Sequence, residues 1–531
     1  MPRPARPFSA RLLVILCALA LFAPLPAASA ADRPEWSIII YTGTDEQALA
    51  LNYDPRFREI LETPLPASLE LIAEHDTHEP QGTFRYIRRG SAPLERQVLP
   101  EQDSADPRSM AAFLRWAGQN ARGKKRLFIV ISHSWGWRGI IQDYTIPGKP
   151  EVNTMMPLRE LARVMRQAKF RPDVFWLDAC VLGNVEPIQE FRDSAPYLIV
   201  SQREMPHNGF PAEKLFGLLG TPGLAPREFV RRVPEPYIRA YSRNGSLLTK
   251  EGEFFQTTVA GIDMAKWKGF TRDFGRLVKA LEKTDFSARM AENPRWVKGL
   301  ADFSDQNADL VELLTRLPEL VKNPRVDALT AKIRKDIGYP AAVDARSRES
   351  YTLDPREVKR FELRIDADGL LPPETALKEI KELWFELNQD QALPGSLNYD
   401  VVKVPSASGR DREFVVSGEI AAPLRFRPWL AGAQYFVLTT DKGDGGEPKR
   451  ITRSREEDFF LVDRFPKTSF LVAEAHTQGV PFIHGIGIVL YPGMTAQMDR
   501  TVDPLTRSTG RDFYRETSWN RVTGWGDLMF R

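Results

Sequence analysis

The sequence predicts an α/β fold with a mostly parallel central sheet. Two observations predict it: short runs of apolar residues recur along the first 200 residues, and amphipathic stretches lie between them. A strand that is apolar on both sides is buried on both faces, which is typical of a parallel sheet covered by helices. The strands predicted in this way are residues 37–41, 69–73, 127–131, 174–177 and 197–200.

Two helices are predicted between these strands. Asp106 is followed by Pro107, and an N-cap residue before a first-turn proline is a typical helix start. Apolar residues then recur at helical spacing as far as Ala117, and again over residues 156–165. Helices that alternate with buried strands support the α/β prediction.

The charge balance argues against two classes of binding protein. The chain has 531 residues with 73 Lys+Arg and 70 Asp+Glu, and residues 1–30 hold three Arg and no acid. The remainder is therefore formally neutral, whereas nucleic-acid binding and polybasic membrane association need an excess of basic residues. We expect no nucleic-acid partner.

Residues 1–30 have the pattern of a secretory signal peptide. Three Arg precede the apolar run 12–22, which is too short to span a bilayer, and Ala28-Ser29-Ala30 forms a small-residue cleavage site. No later run is long and apolar enough for a transmembrane helix. We therefore expect a soluble exported protein, periplasmic or secreted, without a transmembrane anchor.

The cysteine count is the first indication of function. The chain has two cysteines, Cys17 and Cys180, and only Cys180 lies outside the predicted signal peptide. A lone thiol in an exported protein forms no internal disulfide and needs another explanation. Two explanations stay open at this point: a buried cysteine that packs as a small apolar side chain, or a reactive thiol.

Two predicted strands end in side chains that carry chemistry. The strand 127–131 runs into Ser132-His133, and the strand 174–177 runs into Asp178-Ala179-Cys180. If these strands are parallel neighbours, His133 and Cys180 share the sheet edge at which α/β proteins gather reactive groups. An imidazole beside a thiol provides the base that a cysteine nucleophile requires.

Other groups at the same strand ends suit acyl transfer. Backbone N–H groups near Ser134 and Cys180 are candidates to hold a developing oxyanion. Asp178 is two residues from Cys180, so an extended backbone points both side chains the same way. We expect the Asp178 carboxylate to line a pocket for a cationic side chain.

Several blocks resemble, in order, those of the clostripain-like cysteine peptidases, which are relatives of caspases and gingipains. The histidine block and the cysteine block are specific only in combination, and the similarity is dense from Trp36 to about Ser242. The matching blocks are residues 36–41, 106–119, 132–139, 178–184 and 197–201, with 485–492 and 525–528 near the end.

The resemblance implies a caspase-like fold, a three-layer sandwich, and endopeptidase activity after Arg or Lys on protein or peptide substrates. It implies a dyad of His133 and Cys180 and an acidic primary pocket. It also suggests self-cleavage and, in some members, calcium dependence, although nothing in the sequence requires a cofactor.

Two positions depart from the family pattern. Ser134 stands where the family has Gly after the histidine, and serine keeps the N–H donor if its φ is ordinary. Asn208 stands where the family has Asp before Gly, which leaves Asp178 as the acid of the pocket. His207 beside Asn208 would make the pocket sensitive to pH.

Five segments are expected along the chain. They are a signal peptide (1–30), a caspase-like catalytic domain (31–260), a helical segment packing on the core (261–345), a β-rich inserted domain (346–480) and a C-terminal segment returning to the core (481–531). The β-rich prediction rests on short strand candidates at residues 361–365, 414–416, 435–438 and 459–462.

Two other functions remain open at the level of sequence. The Ser134 and Asn208 departures motivate a catalytically silent, peptidase-like scaffold that binds envelope proteins or polysaccharide through its β-rich domain. The other alternative is a different thiol hydrolase, such as an amidase. His484 also follows an apolar run and is a rival to His133 as base, although it comes after the cysteine.

A few other polar and aromatic residues have two interpretations. The run from His75 to Glu79 has potential metal ligands, but a solvated loop is preferred, so no metal site is assigned. Trp135 is either a core residue or a wall of the substrate groove, and we include it among the substrate-binding candidates. Asp143 and Glu186 are expected to be solvated surface acids.

Overall fold

The computed structural model describes most of the chain from residue 33 onward. The described residues are 33–78, 82–145, 154–242, 245–248, 255, 257–293, 307–339, 351–353, 356–366, 385–386, 398–402, 413–419, 424–426, 435–444, 449–454, 459–463, 465–477, 484–490 and 510–530. The expected signal peptide lies outside them.

The strands are numbered in chain order. They are β1 Trp36–Thr44, β2 Leu69–Thr77, β3 Gly82–Arg89, β4 Glu95–Leu99, β5 Lys125–Ser132, β6 Ile140–Asp143, β7 Thr154–Met156, β8 Val174–Asp178, β9 Tyr197–Val200, β10 Thr258–Asp263, β11 Asn307–Asp309, β12 Tyr351–Leu353, β13 Arg360–Asp366, β14 Phe385–Glu386, β15 Asn398–Val402, β16 Glu413–Glu419, β17 Leu424–Phe426, β18 Tyr435–Asp441, β19 Lys449–Ser454, β20 Phe459–Val462, β21 Leu471–Thr477 and β22 Gly487–Val489.

The helices are numbered in the same way. They are α1 Gln47–Glu62, α2 Pro107–Asn120, α3 Leu158–Gln167, α4 Val185–Glu190, α5 Ala212–Leu219, α6 Pro226–Arg232, α7 Pro234–Tyr241, α8 Met264–Leu281, α9 Phe286–Glu292, α10 Leu310–Leu320, α11 Pro324–Ile337, α12 Gly510–Arg515, α13 Ser518–Thr523 and α14 Trp525–Met529. Helix α2 begins as predicted, because the Asp106 side chain accepts from the Arg108 N–H and Pro107 stands in the first turn.

A mixed ten-stranded sheet organises the fold, with the strand order β20-β21-β10-β9-β8-β5-β1-β2-β3-β4. The five central strands, from β9 to β2, pair in parallel. Antiparallel strands extend the sheet on both sides. The predicted α/β class with a parallel centre is therefore confirmed.

Apolar side chains from the central strands pack into two cores on opposite faces of the sheet. Ile39 and Phe128 belong to the core that α2, α3, α4 and α8 cover. Ile38 and Ile129 belong to the other core, which α1, α5, α6 and α7 cover. Successive side chains of a strand point to opposite faces, so burial of both sets produces three layers.

The register of the central strands sets the position of the candidate site. Strand β5 pairs in parallel with β8, and Ile131 lies opposite Asp178. His133 follows Ile131 by two residues, and Cys180 follows Asp178 by two. The two side chains therefore leave neighbouring strands at the same edge of the sheet.

The strands that follow α11 belong to different sheets. Strands β15-β16-β13-β18-β19 form one antiparallel sheet and β12-β17-β14 form another, so this stretch is rich in strands as predicted. Strands β20 and β21, which also lie within the expected inserted domain, instead extend the ten-stranded sheet beside β10. We therefore propose that the inserted domain ends before Phe459.

The last described residues pack onto the core. The Trp525 indole N–H donates to the Val489 carbonyl at 2.9 Å, and Trp519 stacks on Phe270 of α8. Strand β22 pairs with β11, and Gly487 bridges to Asn184 at the N-terminus of α4. These contacts support the proposal of a C-terminal segment that returns to the core.

Candidate active site

A cleft at the carboxyl edge of the sheet brings the two predicted reactive side chains together. His133 and Cys180 both line it, as does Asp178. The remaining lining residues come from α1, from the ends of β5 and β8 and from the loop after β9, and they are Leu49, Tyr53, Ile131, Ser132, Ala179, Met205, Pro206 and His207. Four separate chain segments therefore build one concave site.

Cys180 is a free, half-buried thiol at the base of this cleft. Its Sγ accepts from the Met205 backbone N–H at 3.5 Å. Burial raises the pKa of Cys180 to about 11, the Met205 N–H offsets part of the increase, and the charges of Glu204 and Asp178 add to it. The resting sulfur is therefore a thiol at neutral pH.

His133 contacts an acid that was not among the residues predicted from the sequence. Its Nε2 lies 3.4 Å from Glu46 Oε2, and its side chain is 31% exposed. Glu46 caps the N-terminus of α1, where its carboxylate also accepts from the Leu49 N–H at 2.7 Å. The two residues are 87 positions apart, and no spacing pattern links a helix cap to a distant strand end.

A second imidazole faces His133 across the rim of the cleft. The ring centroids of His133 and His207 are 5.9 Å apart in an edge-to-face arrangement. Partial burial and the neighbouring His133 lower the pKa of His207, whereas Glu46 raises it by less. The pH sensitivity expected from His207 stays a prediction, and the proximity of the two rings places His207 where it could act.

Asp178 is a buried carboxylate whose burial is only partly compensated. Its side chain is almost inaccessible, and neither carboxylate oxygen meets a hydrogen-bond partner. Burial raises the pKa of Asp178 to about 7, and the nearby Tyr237 hydroxyl offsets only part of that increase. An unpaired acid in a cleft is a typical binding group for a cation that arrives from outside.

Two backbone N–H groups near the thiol donate to no backbone carbonyl. No backbone hydrogen bond uses the N–H of Ser134 or of Cys180, although both residues lie in the described part of the chain. Ser134 does not have a positive φ, so the serine departure adds no backbone strain. Val181 does have a positive φ of 54°, which is strained for a β-branched residue.

Two predicted substrate-binding residues lie outside the cleft lining. The Asn208 side-chain amide donates to the Leu247 carbonyl at 2.8 Å and so braces a loop. Trp135 is 55% exposed, and its indole N–H donates to Gln142 at 2.9 Å. The core position belongs instead to Trp137, which packs against Tyr514.

Other sequence interpretations need correction. The solvated-loop interpretation of the His75 region is wrong, because His75 and Asp76 lie in β2 and are buried. Asp143 and Glu186, expected at the surface, are also buried. The rival base His484 is buried away from the cleft, and its Nδ1 lies 2.7 Å from Asp309 Oδ1.

Comparison with known proteins identifies the family. Residues 76–332 match the model of the clostripain family, peptidase family C11. This part of the chain is similar to the clostripain family. The match includes both His133 and Cys180, and it confirms the resemblance seen in the sequence. The enzyme class expected from the sequence, a cysteine-type peptidase, is confirmed with it.

Solved structures of C11 proteases are similar to this chain. A secreted C11 cysteine protease from Bacteroides thetaiotaomicron, in complex with an irreversible peptide inhibitor, is 12% identical with a TM-score of 0.49, and the match covers 93% of this chain and 99% of that one. An inactive zymogen C11 protease from Parabacteroides distasonis is 17% identical with a TM-score of 0.43, covering 57% and 82%.

No curated protein matches the sequence. Among the described residues, no helix combines the length and the apolar character needed to cross a membrane.

Proposed function

We propose that this protein is an exported cysteine endopeptidase that uses a dyad of His133 and Cys180. The observation that carries the proposal is the register of β5 and β8. These parallel neighbours deliver an imidazole and the lone thiol outside the predicted signal peptide into one cleft. A second cysteine or another cleft histidine does not have to be invoked.

The high pKa of Cys180 determines how the thiol must react. A thiol with a pKa of about 11 is protonated at neutral pH, so its proton has to leave as the sulfur attacks. His133 takes that proton while Sγ bonds to the scissile carbonyl carbon. The imidazolium then protonates the leaving amine as the C–N bond breaks, and water hydrolyses the resulting thioester with His133 as base.

The N–H groups of Ser134 and Cys180 are the proposed oxyanion donors. The carbonyl oxygen gains negative charge when the sulfur attacks, and fixed N–H donors stabilise that charge more than they stabilise the ground state. Glu46, whose Oε2 lies 3.4 Å from His133 Nε2, would keep the imidazole oriented.

Asp178 supports a preference for Arg or Lys before the scissile bond. The carboxylate has no partner of its own, so a substrate cation would supply the missing charge and hydrogen bonds. Asn208 contributes no charge and is engaged with Leu247, so the preference rests on Asp178.

Loss of the thiol tests the proposal. Cys180→Ala should lower kcat/KM on a fluorogenic Arg or Lys peptide by about 10⁴-fold or more, because removing the nucleophile abolishes the covalent route. His133→Ala should behave in the same way. His207→Ala is the matched control, because it removes the other cleft imidazole and should leave far more activity. Unchanged proteolysis by Cys180→Ala would eliminate the mechanism.

A catalytically silent scaffold is the second candidate. It is favoured by the resting geometry, in which Cys180 and His133 make hydrogen bonds to other groups and none to each other. A panel of Arg, Lys and neutral peptides distinguishes the two, with thiol alkylation measured in parallel. Absence of turnover together with ordinary thiol reactivity would support the scaffold, which would then act through its β-rich domain.

A further inference from the structure

One buried carboxylate joins three segments of the chain next to the loop between β8 and α4, which bears Cys180. Asp309 ends β11 and caps the N-terminus of α10, where it accepts from the Glu312 N–H at 2.9 Å. Its Oδ1 lies 2.7 Å from His484 Nδ1, and its Oδ2 accepts from the His484 N–H at 2.8 Å and from the Gln202 side-chain amide at 3.2 Å. Asp309, His484 and Gln202 are all buried, so solvent does not compete for these bonds.

The segment that contains Gln202 contacts the Cys180 loop directly. The Val181 N–H donates to the Arg203 carbonyl at 2.9 Å, and the Met205 N–H donates to Cys180 Sγ at 3.5 Å. Gln202 therefore lies in the stretch of backbone against which the thiol loop packs, and its side chain reaches from there to the buried carboxylate.

The segment that begins at His484 contacts the same loop. The Gly487 N–H donates to the Gly183 carbonyl at 2.9 Å, and Gly487 also bridges to Asn184. The Asn184 side-chain amide donates to Asn307 Oδ1 at 2.9 Å, so β11 contacts the end of the loop as well. The buried carboxylate thus joins the three segments that hold the cysteine loop.

The surroundings of His484 favour its imidazolium form. The titratable groups around it come from β11, α10, β21 and the end of α11, and they are Asp309, Glu312, Glu474, His476 and Tyr339. Burial lowers the pKa of His484, whereas the carboxylates of this set, Asp309 first, raise it by more. The contact between His484 and Asp309 is therefore a charge-assisted hydrogen bond in a buried environment.

We propose that His484 and Asp309 are positioning residues that hold the Cys180 loop in its reactive place. Neither residue lines the cleft, so the pair acts on the reaction only through Gln202 and the segment that begins at His484. Loss of the bond between them lets the loop shift, and a small displacement of the nucleophile lowers the rate strongly. The inference rests on the proposed function, because the reaction that it concerns is attack by the Cys180 thiol.

Peptide turnover and thiol alkylation, measured on the full chain, test this role together. His484→Leu should lower kcat by about tenfold or more with little change in KM, because the nucleophile moves while the cleft keeps its lining. It should also speed alkylation of Cys180 by iodoacetamide about threefold or more, because a loosened loop exposes the buried thiol. His484→Asn keeps an N–H donor near the Nδ1 position and should therefore keep most of kcat.

Ser37→Ala is the matched control. Ser37 stands at the start of β1, and its hydroxyl donates to Glu70 at 2.6 Å at the edge of the sheet opposite the cleft. Its loss should lower the melting temperature but leave kcat and the alkylation rate unchanged. A loss of kcat in His484→Leu no larger than in Ser37→Ala, or an equal loss in His484→Asn, would overturn the proposal. Gln202→Met keeps the side-chain length without the N–H donors, and it decides the case if His484→Leu does not fold.

The pH dependence of stability tests the charge of the pair. The ion pair stabilises the protein fully below the ordinary histidine pKa of about 6.5, and this contribution is lost as the pH rises through the raised pKa of His484. The melting temperature of the wild type should therefore exceed that of His484→Asn by more at pH 6 than at pH 9. The same difference at both pH values would also overturn the proposal.

Failure of the proposed function would be recognised separately. If the wild type turns over no peptide, the peptidase proposal fails. The alkylation rates and the melting temperatures of the same variants then decide whether His484 and Asp309 hold the Cys180 loop.

Discussion

The burial of Asp178 lowers the stability of the folded protein, and the same carboxylate is proposed to bind the substrate. A buried carboxylate without hydrogen bonds costs free energy in the folded protein, and a pKa of about 7 expresses that cost. Within the described part of the chain, no lysine or arginine lowers its pKa. Under the proposed function, a cationic side chain of a substrate would offset this cost.

The charge of Asp178 should make substrate preference depend on pH. Its pKa of about 7 means that the carboxylate ionises as the pH rises from 6 to 8. The ratio of kcat/KM for an Arg peptide to kcat/KM for a matched neutral peptide should therefore increase over this range. The ratio removes the titration of Cys180 and His133, which both substrates share.

Asp178→Asn provides the control for this experiment. The variant should show a low ratio that does not change with pH, because it keeps the shape of the carboxyl group but cannot ionise. A ratio that rises equally in the variant would show that another group, such as His207, recognises the cation.

Individual site residues differ in how far the sequence could predict them. His133, Cys180 and Asp178 were predicted because each lies within two residues of a strand end, and strand ends are visible in the sequence. The contacts of Glu46 and His207 were not predictable in this way. They come from segments 87 residues before His133 and 27 after Cys180, and only tertiary packing joins them.

At the scale of elements, the loop between β8 and α4 packs very closely against the residues that follow β9. The Gly183 N–H donates to the Ser201 carbonyl at 2.5 Å. A Cβ atom at Gly183 would lie 2.5 Å from the Gln202 nitrogen, which is shorter than any normal contact. The loop that carries Cys180 is thereby fixed against the end of β9.

Gly183→Ala should therefore destabilise the protein. The added methyl group must push two backbone segments apart, at an expected cost of about 1–3 kcal/mol, and it should also lower activity by displacing Cys180. Chemical denaturation measures the first effect and peptide turnover the second.

Gly118→Ala is the matched control. A Cβ at Gly118 in α2 meets nothing within 4 Å, so alanine should stabilise the protein by about 0.5–1 kcal/mol through its helix propensity. Equal effects of the two substitutions would contradict the close approach at Gly183.

The predicted elements were those whose sequence pattern reports burial directly. All five central strands and helix α2 were predicted, because an apolar run or a helical spacing can be recognised in the sequence without knowing how the strands pair. Strands β3 and β4 were missed, since β4 is mostly exposed and has no apolar run. The position of β20 and β21 was also missed, because a strand sequence does not specify which sheet it joins.

On the scale of the whole molecule, the buried acid Glu186 joins the C-terminal residues to the core through hydrogen bonds. Glu186 Oε1 accepts from the Tyr514 hydroxyl at 2.6 Å and from the Val489 N–H at 3.1 Å. Burial raises the pKa of Glu186 to about 7. The carboxyl group is therefore protonated more readily in the folded chain than in the unfolded chain.

This contact should make stability depend on pH. The contribution of Glu186 is fully present below the ordinary pKa of about 4.5 and is lost as the pH rises through about 7, at a cost of at most about 3 kcal/mol. Glu186→Gln should consequently gain stability relative to the wild type between pH 5 and pH 8. Thermal melts of both proteins at pH 5 and pH 8 measure this change. A difference in melting temperature between variant and wild type that is the same at both pH values would contradict the prediction.

The primary sequence was sufficient for the local features of this protein: the buried strands, the helix starts, the strand-end chemistry and the family resemblance. Each depends on residues close together in the chain, where backbone geometry and hydrophobic periodicity act directly. Tertiary structure decided the rest, namely the neighbour of each edge strand, the acid that contacts His133 and the approach of His207 to that imidazole. Those relations join residues far apart in the chain, and they arise from the order in which strands pack into a sheet.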